Sequence, residues 1–458
     1  MSQNTEVKEP AARTLPSEMS VTDALALAID LIRGGDVNPG IAICDRVLAA
    51  VPDQPDALHY KGMALYHTGH VDDGVSLIRR ALEVAPRYTA AWNNLGNILA
   101  INDAFDKAAQ AYRHVITLEP NHADAWNNLA AALKEQDKLD EAMECVKKAL
   151  ELDPKHPEAY HTLGNIYRQQ KRDIEALAAF KQALVLHPRH ADSYRGLGAA
   201  FYAVGQVEEA ADVYRRWLQI EPENPYPAHM LAACTNDHIP ERASDAYVAG
   251  TFDRFANSFD KVLEKLQYRA PQLLADALHE HLGTTSGTLA VADAGCGTGL
   301  CGPLLRPFAR TLVGVDLSEK MVARAKERES EGRPIYDELV VDELTAFFAK
   351  RPSSYDVVIS ADTLCYFGNL QPPVQALAAS LKPGGVLGFT VERAPDSEQG
   401  YVLHPHGRYS QTEAYVKSVL QAAGLQVATV KHVHLRVEKG SAVDGLLVLA
   451  QAPQPPLF

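Results

Sequence analysis

Proline, small and large apolar positions recur along the first half of the chain at one fixed spacing. Prolines fall at Pro52, Pro86, Pro120, Pro154, Pro188 and Pro222, each 34 residues after the last. Six residues after the first five stand Leu58, Trp92, Trp126, Tyr160 and Tyr194. One column of small residues runs through Gly62, Gly96, Ala130, Gly164 and Gly198, and another through Gly74, Ala108, Ala142, Ala176 and Ala210. Large apolar residues fill a further column at Ile78, Tyr112, Val146, Phe180 and Tyr214. Small opposite large is what two closely crossing helices need, because a glycine or alanine lets a neighbouring aromatic settle against the backbone. A proline suits the point where a helix has ended, since no backbone donor is required there. The pattern predicts helix pairs stacked in an array.

On these columns the segment resembles six tetratricopeptide (TPR) repeats, at about 21–54, 55–88, 89–122, 123–156, 157–190 and 191–224. The first two are degenerate, with Ala24 and Leu58 in the aromatic position. The resemblance implies an α-solenoid whose first helices line a concave binding face. On that face Asn94 and Asn97 share a side, as do Thr162 and Asn165, and Asn128 repeats Asn94 one unit on. The arrangement resembles the asparagine ladder of TPR-bearing O-linked N-acetylglucosamine transferase, interrupted at Tyr60, Thr162 and Gly196. Amides both donate and accept, so a groove of Asn94, Asn97, Asn128 and Asn165 is expected to hold a protein or peptide partner. Residues 1–20 are expected to be a disordered tail. The period is lost beyond 224, and 225–250 is expected to cap the array and link it to 251–458.

The second half carries the candidate chemistry. TLAVADAGCGTGLCGPLLRPFA reads as a strand ending at Asp293, a turn with Gly295, Gly297 and Gly299, then a helix. The dinucleotide pattern G-x-G-x-x-G fails because Leu300 stands where its third glycine would be, and no phosphate-cradling G-x-x-x-x-G-K-[ST] loop is present. TLVGVDLSEKMVARAKER gives a second strand ending at Asp316, near the offset of about 20 residues at which an acid meets ribose hydroxyls. ELVVDELTAFFAK places Asp342 and Glu343 at a third strand end, and SYDVVISADTLCYF places Ala361 and Asp362 past a fourth. Strands alternating with helices predict a parallel sheet, with ligands outside its carboxyl ends.

An acid followed by G-x-G-x-G, with the later strand-end acids, resembles the class I S-adenosylmethionine-dependent methyltransferases. FDRFANSFDKVLEKLQYRAPQLLADAL, GLCGPLLRP and GYVLHPHGRYSQTEAYV extend the likeness to bacterial predicted methyltransferases with an N-terminal TPR array. The resemblance implies a Rossmann-like, seven-stranded α/β domain over 251–458 with S-adenosyl-L-methionine as cofactor. It implies a cofactor site of Tyr268, Arg269, Asp293, Gly295, Gly297, Gly299, Asp316, Asp342, Glu343 and Ala361. Asp316 would take the ribose hydroxyls, Asp342 or Glu343 the adenine amine, and Arg269 the methionine carboxylate. The usual Ala-Asp before Leu-Thr is Asp342-Glu343 here, so the choice between those two carboxylates stays open. His404, His406, Arg408 and Tyr409 form a polar cluster where acceptor sites lie in this fold, and are expected to be catalytic.

Charge and cysteine usage narrow the partners. The net charge is −14, with −11 on residues 1–250 and −3 on 251–458, so neither half carries the cations that nucleic acid demands. No apolar run approaches the roughly 18 residues of a membrane span. Six widely spaced cysteines form no CxxC pair and suit a reducing cytoplasm. No His, Asp or Glu group shows metal-ligand spacing, so no metal is expected. The expected function is therefore methyl transfer to a protein recruited by the array. The alternatives are a small-molecule methyltransferase whose array serves assembly, or a binding scaffold with an inactive cofactor fold.

Overall fold

A computed structural model of the chain describes residues 19–283, 287–395, 400–438 and 440–454. Most of the tail expected at 1–20 thus lies outside the described residues. The chain divides into two compact units, Met1–Pro188 and Arg189–Phe458.

The first unit is built of paired helices, from Val21–Arg33 and Val37–Ala50 to Pro157–Gln169 and Asp173–Leu186. Each repeat proline sits just past a second helix, as Pro86 does after Val71–Val84 and Pro120 after Phe105–Leu118. The aromatic six residues later returns to that turn: Trp92 and Trp126 donate their indole N–H to the carbonyls of Pro86 and Pro120, at 2.9 and 2.8 Å. This ties the end of one repeat to the start of the next. Within a repeat, the small and large columns meet. A Cβ on Gly96 would lie 2.6 Å from the Tyr112 ring, and one on Gly164 would lie 2.7 Å from the Phe180 ring.

The second unit begins with the sixth helix pair, Ala191–Ala203 and Val207–Ile220, followed by helix Pro225–Thr235. Its α/β part contains β1 (Leu289–Ala294), β2 (Ala309–Asp316), β3 (Glu329–Ser330), β4 (Arg333–Pro334), β5 (Glu338–Val341), β6 (Tyr355–Ser360), β7 (Leu381–Arg393), β8 (Tyr401–Leu403), β9 (Tyr409–Gln411), β10 (Gln426–Glu438) and β11 (Ser441–Gln451). The main sheet runs β10-β11-β7-β6-β1-β2-β5, with β9 beside β7 and β8 beside β9, while β3 and β4 form a separate ribbon. The five strands from β7 to β5 are parallel, and β10 and β11 close that edge antiparallel. The seven strands in line correspond to the expected sheet, and β9 and β8 extend it to nine. Alternate residues face opposite layers: Leu387, Phe389 and Val391 pack with Phe347, Leu377 and Leu420, while Val386, Ile359 and Leu447 pack with Leu274, Leu278 and Leu312. Chain order reverses between β1 and β6, which opens a crevice at their carboxyl ends.

Residues 225–250 are more than a linker. After helix Pro225–Thr235, Arg242 pairs with Phe367, Ala243 N–H donates to Tyr366 O, and Gly368 N–H donates to Glu241 O. Helix Asp245–Phe255 then starts over the crevice. The segment is sewn to the loop after β6 because that loop's backbone groups need partners away from the sheet.

The packing of small against large can be tested in one repeat. Gly164→Ala gains helix propensity but forces Phe180 to move, and is expected to lower stability by about 1–3 kcal/mol. Adding Phe180→Leu should recover part of that loss. Thermal melts showing additive effects of the two changes would contradict the contact.

Candidate active site

The crevice holds a cavity of about 490 Å³. Its floor comes from the carboxyl ends of β1, β2, β5 and β6, through Gly295, Gly297, Asp316, Asp342, Glu343, Ala361 and Asp362. Its cover comes from helices Asp245–Phe255 and Phe259–Lys265, which supply Thr251, Phe252, Phe255, Phe259 and Leu263. Two carboxylates fasten this cover. Asp253 accepts from Ser318 Oγ, and Asp260 accepts from Thr298 Oγ1 and pairs with Arg328.

The glycine turn follows β1 because its geometry excludes side chains. Gly295 has φ +79°, and a Cβ there would overlap Thr363. Gly297 has φ +53°, and a Cβ there would have only the Phe259 ring within reach, at 3.8 Å, so it would project into the cavity. Asp316 ends β2 with each oxygen held by a backbone donor, Gly297 N–H and Ser318 N–H, both at 2.9 Å. Burial pushes its carboxyl above the usual range, and those N–H groups oppose the shift.

The two carboxylates after β5 differ in freedom. One Glu343 oxygen caps helix Leu344–Ala349 by accepting from Ala346 N–H at 2.8 Å, and the other pairs with Arg242 at 2.9 Å. Asp342 accepts from Glu343 N–H at 2.9 Å and meets only the exposed Lys350, at 3.2 Å.

Several expected site residues lie elsewhere. Asp293 does not reach the cavity: it is fully buried and accepts from Tyr336 OH at 2.6 Å. Burial raises its carboxyl to about 7. Gly299 packs against Tyr336 and Arg328 instead of lining the floor. Arg269 is exposed at the start of helix Ala270–Leu282, its N–H donating to Leu435 O, whereas its neighbour Tyr268 does line the cavity. Of the polar cluster, only His406 and Arg408 face the cavity. Tyr409 is buried and donates to Pro240 O at 2.7 Å, and His404 bonds Ser410 Oγ at 2.6 Å. Neither is among the residues that line the cavity.

A charged network that no local motif announces completes the wall. Arg436, 4% exposed, donates to Asp362, Glu392 and Glu438, and Arg408 donates to Glu392 and Glu438 at 2.6 Å each. The two guanidinium groups hold Glu392 below its usual range and bring Glu438 down to about 2. Burial and Arg408 lower His406 to about 4, so it is neutral at pH 7. Asp362 adopts φ +56°, rare for a residue with a side chain, and its Oδ1 is buried without a partner. The sequence placed Asp362 just past its strand but gave no sign of Glu392, Arg436 and Glu438 gathering around it.

In the first unit, the four groove amides do not stand free. Asn94 donates to His59 Nε2 at 2.9 Å, Asn97 accepts from Tyr112 OH and from Asn128, and Asn165 bonds His161 at 2.9 Å. All four remain half-buried. The ladder is therefore an internally bonded row: Asn94, Asn97 and Asn128 reach neighbouring helices, and Asn165 bonds one turn back on its own helix.

Sheet, switch-point cavity and strand-end carboxylate define a Rossmann-like methyltransferase domain that follows a helical repeat array in the chain. Residues 10–258 match the family described as the cilia and flagella-associated protein 70 C-terminal domain, and residues 292–387 match the methyltransferase domain family. The first match spans more than half of the chain, which belongs to that family. Over 160 residues the chain is 32% identical to the ubiquinone biosynthesis O-methyltransferase of Bordetella bronchiseptica, covering 32% of this chain and 65% of that protein. It is also 32% identical over 142 residues to the malonyl-(acyl-carrier protein) O-methyltransferase of Acetivibrio thermocellus, covering 30% and 47%. The chain thus spans between about half and two thirds of the length of these curated relatives. Among solved structures, PilW, a widely conserved type IV pilus biogenesis factor, shares 18% identity at a TM-score of 0.42, with 44% of this chain and 94% of that one covered.

Asp293 offers a test by pH. Its folded pKa of about 7 exceeds the ordinary 3.8, so between those values the folded state holds the extra proton. Stability from this residue should therefore fall as pH rises from about 4 through 7. Asp293→Asn is expected to gain on the wild type across that window and to level off above it. Denaturation midpoints that keep a constant difference from pH 4 to 8 would contradict a buried, proton-holding Asp293.

Proposed function

We propose that the protein transfers the methyl group of S-adenosylmethionine to an acceptor presented by a protein partner. Asp316 carries the reading: a half-buried carboxylate, fixed by two backbone N–H groups, at a strand end in a cavity with a glycine floor. That carboxylate suits the two ribose hydroxyls of the cofactor. Asp342, whose outer oxygen meets only an exposed lysine, suits the adenine amine better than Glu343, whose oxygens cap a helix and hold Arg242. Gly295 and Gly297 let the backbone approach, and the unpartnered Thr251 Oγ1 is left for a ligand atom.

The bound cofactor supplies a methyl on a cationic sulfur, open to in-line displacement. The chain's own part is positioning and exclusion of water, which the phenylalanines of the covering helices provide. Recruitment by the helical array supports a protein-presented acceptor, as does the relative named for an acyl-carrier protein substrate. The reading places the protein in the cytoplasm, supported by its widely spaced cysteines.

Asp316→Ala is expected to weaken adenosylhomocysteine binding by about 1.5–3 kcal/mol, roughly ten- to a hundred-fold. Unchanged affinity by calorimetry would remove Asp316 from the site. Incubating lysate with methyl-labelled cofactor should place label in the macromolecular fraction, and label confined to free small molecules would overturn the presented-acceptor reading.

A further inference from the structure

Five guanidinium groups line the cavity: Arg195, Arg242, Arg254, Arg408 and Arg436. Four have carboxylate partners. Arg242 pairs with Asp245 and Glu343, Arg254 with Asp192, and Arg408 and Arg436 with the network already described. Arg195, on helix Ala191–Ala203, has no carboxylate partner among the described residues. Its guanidinium carbon lies 3.5 Å from the centroid of the Tyr226 ring and 5.9 Å from that of Trp217. Its Nε is buried with no hydrogen-bond acceptor.

The aromatic contact holds the cation in place without neutralising it. Tyr226 stacks in turn on Tyr247, with ring centroids 5.6 Å apart, and Tyr247 also lines the cavity. A Cβ on Gly407 would lie 2.5 Å from the Tyr247 hydroxyl, which puts Tyr247 and the turn before Arg408 at the same end of the site. The cavity carboxylates hold other donors, and none pairs with Arg195 among the described residues. Asp245 and Glu343 hold Arg242, and Asp362 and Glu438 hold Arg436. Asp316 and Asp342 accept from backbone N–H groups at the far strand ends. A buried donor without an acceptor is costly, and a ligand that brings one would complete this end. An arginine fork matches a planar or tetrahedral anion, and the tyrosines beside it match an apolar body.

We propose that Arg195 receives the anionic group of the methyl acceptor, a carboxylate or a phosphate, with Tyr226 and Tyr247 as the wall beside it. This rests on the methyl-transfer reading above. Its position on the sixth helix pair makes the end of the repeat array a specificity element of the active site.

The test uses the full chain saturated with adenosylhomocysteine and titrated with 4-hydroxybenzoate, phenyl phosphate and the neutral 4-hydroxybenzamide. The wild type should bind at least one anion about ten-fold more tightly than the amide, and whichever anion is preferred separates carboxylate from phosphate. Arg195→Met, which keeps the aliphatic stem over Tyr226, should erase the preference. Arg195→Lys should keep part of it, since an ammonium retains the charge but not the fork. Adenosylhomocysteine affinity should stay within about two-fold in both variants. No anion preference in the wild type, or a preference that survives Arg195→Met, would overturn the proposal. Loss of adenosylhomocysteine affinity in Arg195→Met would also overturn it, by moving the arginine to the cofactor's carboxylate. A wild type that binds no adenosylhomocysteine would sink the methyl-transfer reading, and the proposal with it.

Discussion

One buried guanidinium, that of Arg436, holds the carboxyl end of the sheet together. It projects from the long edge strand β10 and meets Asp362 after β6, Glu392 on β7 and Glu438 at the end of its own strand. Three carboxylates this close would repel one another, and Arg408 adds the second positive charge that keeps two of them ionised. Removing one partner from such a buried set typically costs about 3–5 kcal/mol, because the remaining charges are stranded. The network also accounts for the left-handed backbone of Asp362, which the surrounding charges keep in place.

The rest of the site follows from that fixed loop. Thr363 packs on the glycine turn, Phe367 bridges to Arg242, and Tyr366 O accepts from Ala243 N–H. Residues 241–243 therefore have a docking edge, and helix Asp245–Phe255 starts from it toward the cavity. Asp253 and Asp260 then fasten the cover to the segments after β2 and β1. Cavity floor and charged wall are thus parts of one connected arrangement.

Local rules made much of this legible. The 34-residue period depends on contacts within a repeat and with its neighbour, such as Trp126 to Pro120 O and Gly164 against Phe180, so it is written in the spacing of single residues. Gly295, Gly297, Asp316 and Asp342 were visible because a strand followed by a glycine turn or an acid leaves a short local pattern. Asp293 shares that pattern, yet its alternate position on β1 turns it into the layer beneath, toward Tyr336. The charged network had no such signature. Arg436 lies 74 residues from Asp362 and 44 from Glu392, and only the order of strands brings them together. The groove amides were recognisable as a row, but whether they bond outward or to one another depends on distances between helices.

The central claim is that the cavity beneath helices Asp245–Phe255 and Phe259–Lys265 is where adenosylmethionine binds. Amide hydrogen exchange of the full chain, with and without the cofactor, tests it most directly. Slowed exchange is expected at Gly297, Leu317 and Ser318 and across both covering helices, with the repeats before Pro188 unchanged. Binding that leaves those amides unprotected and protects another region instead would contradict it.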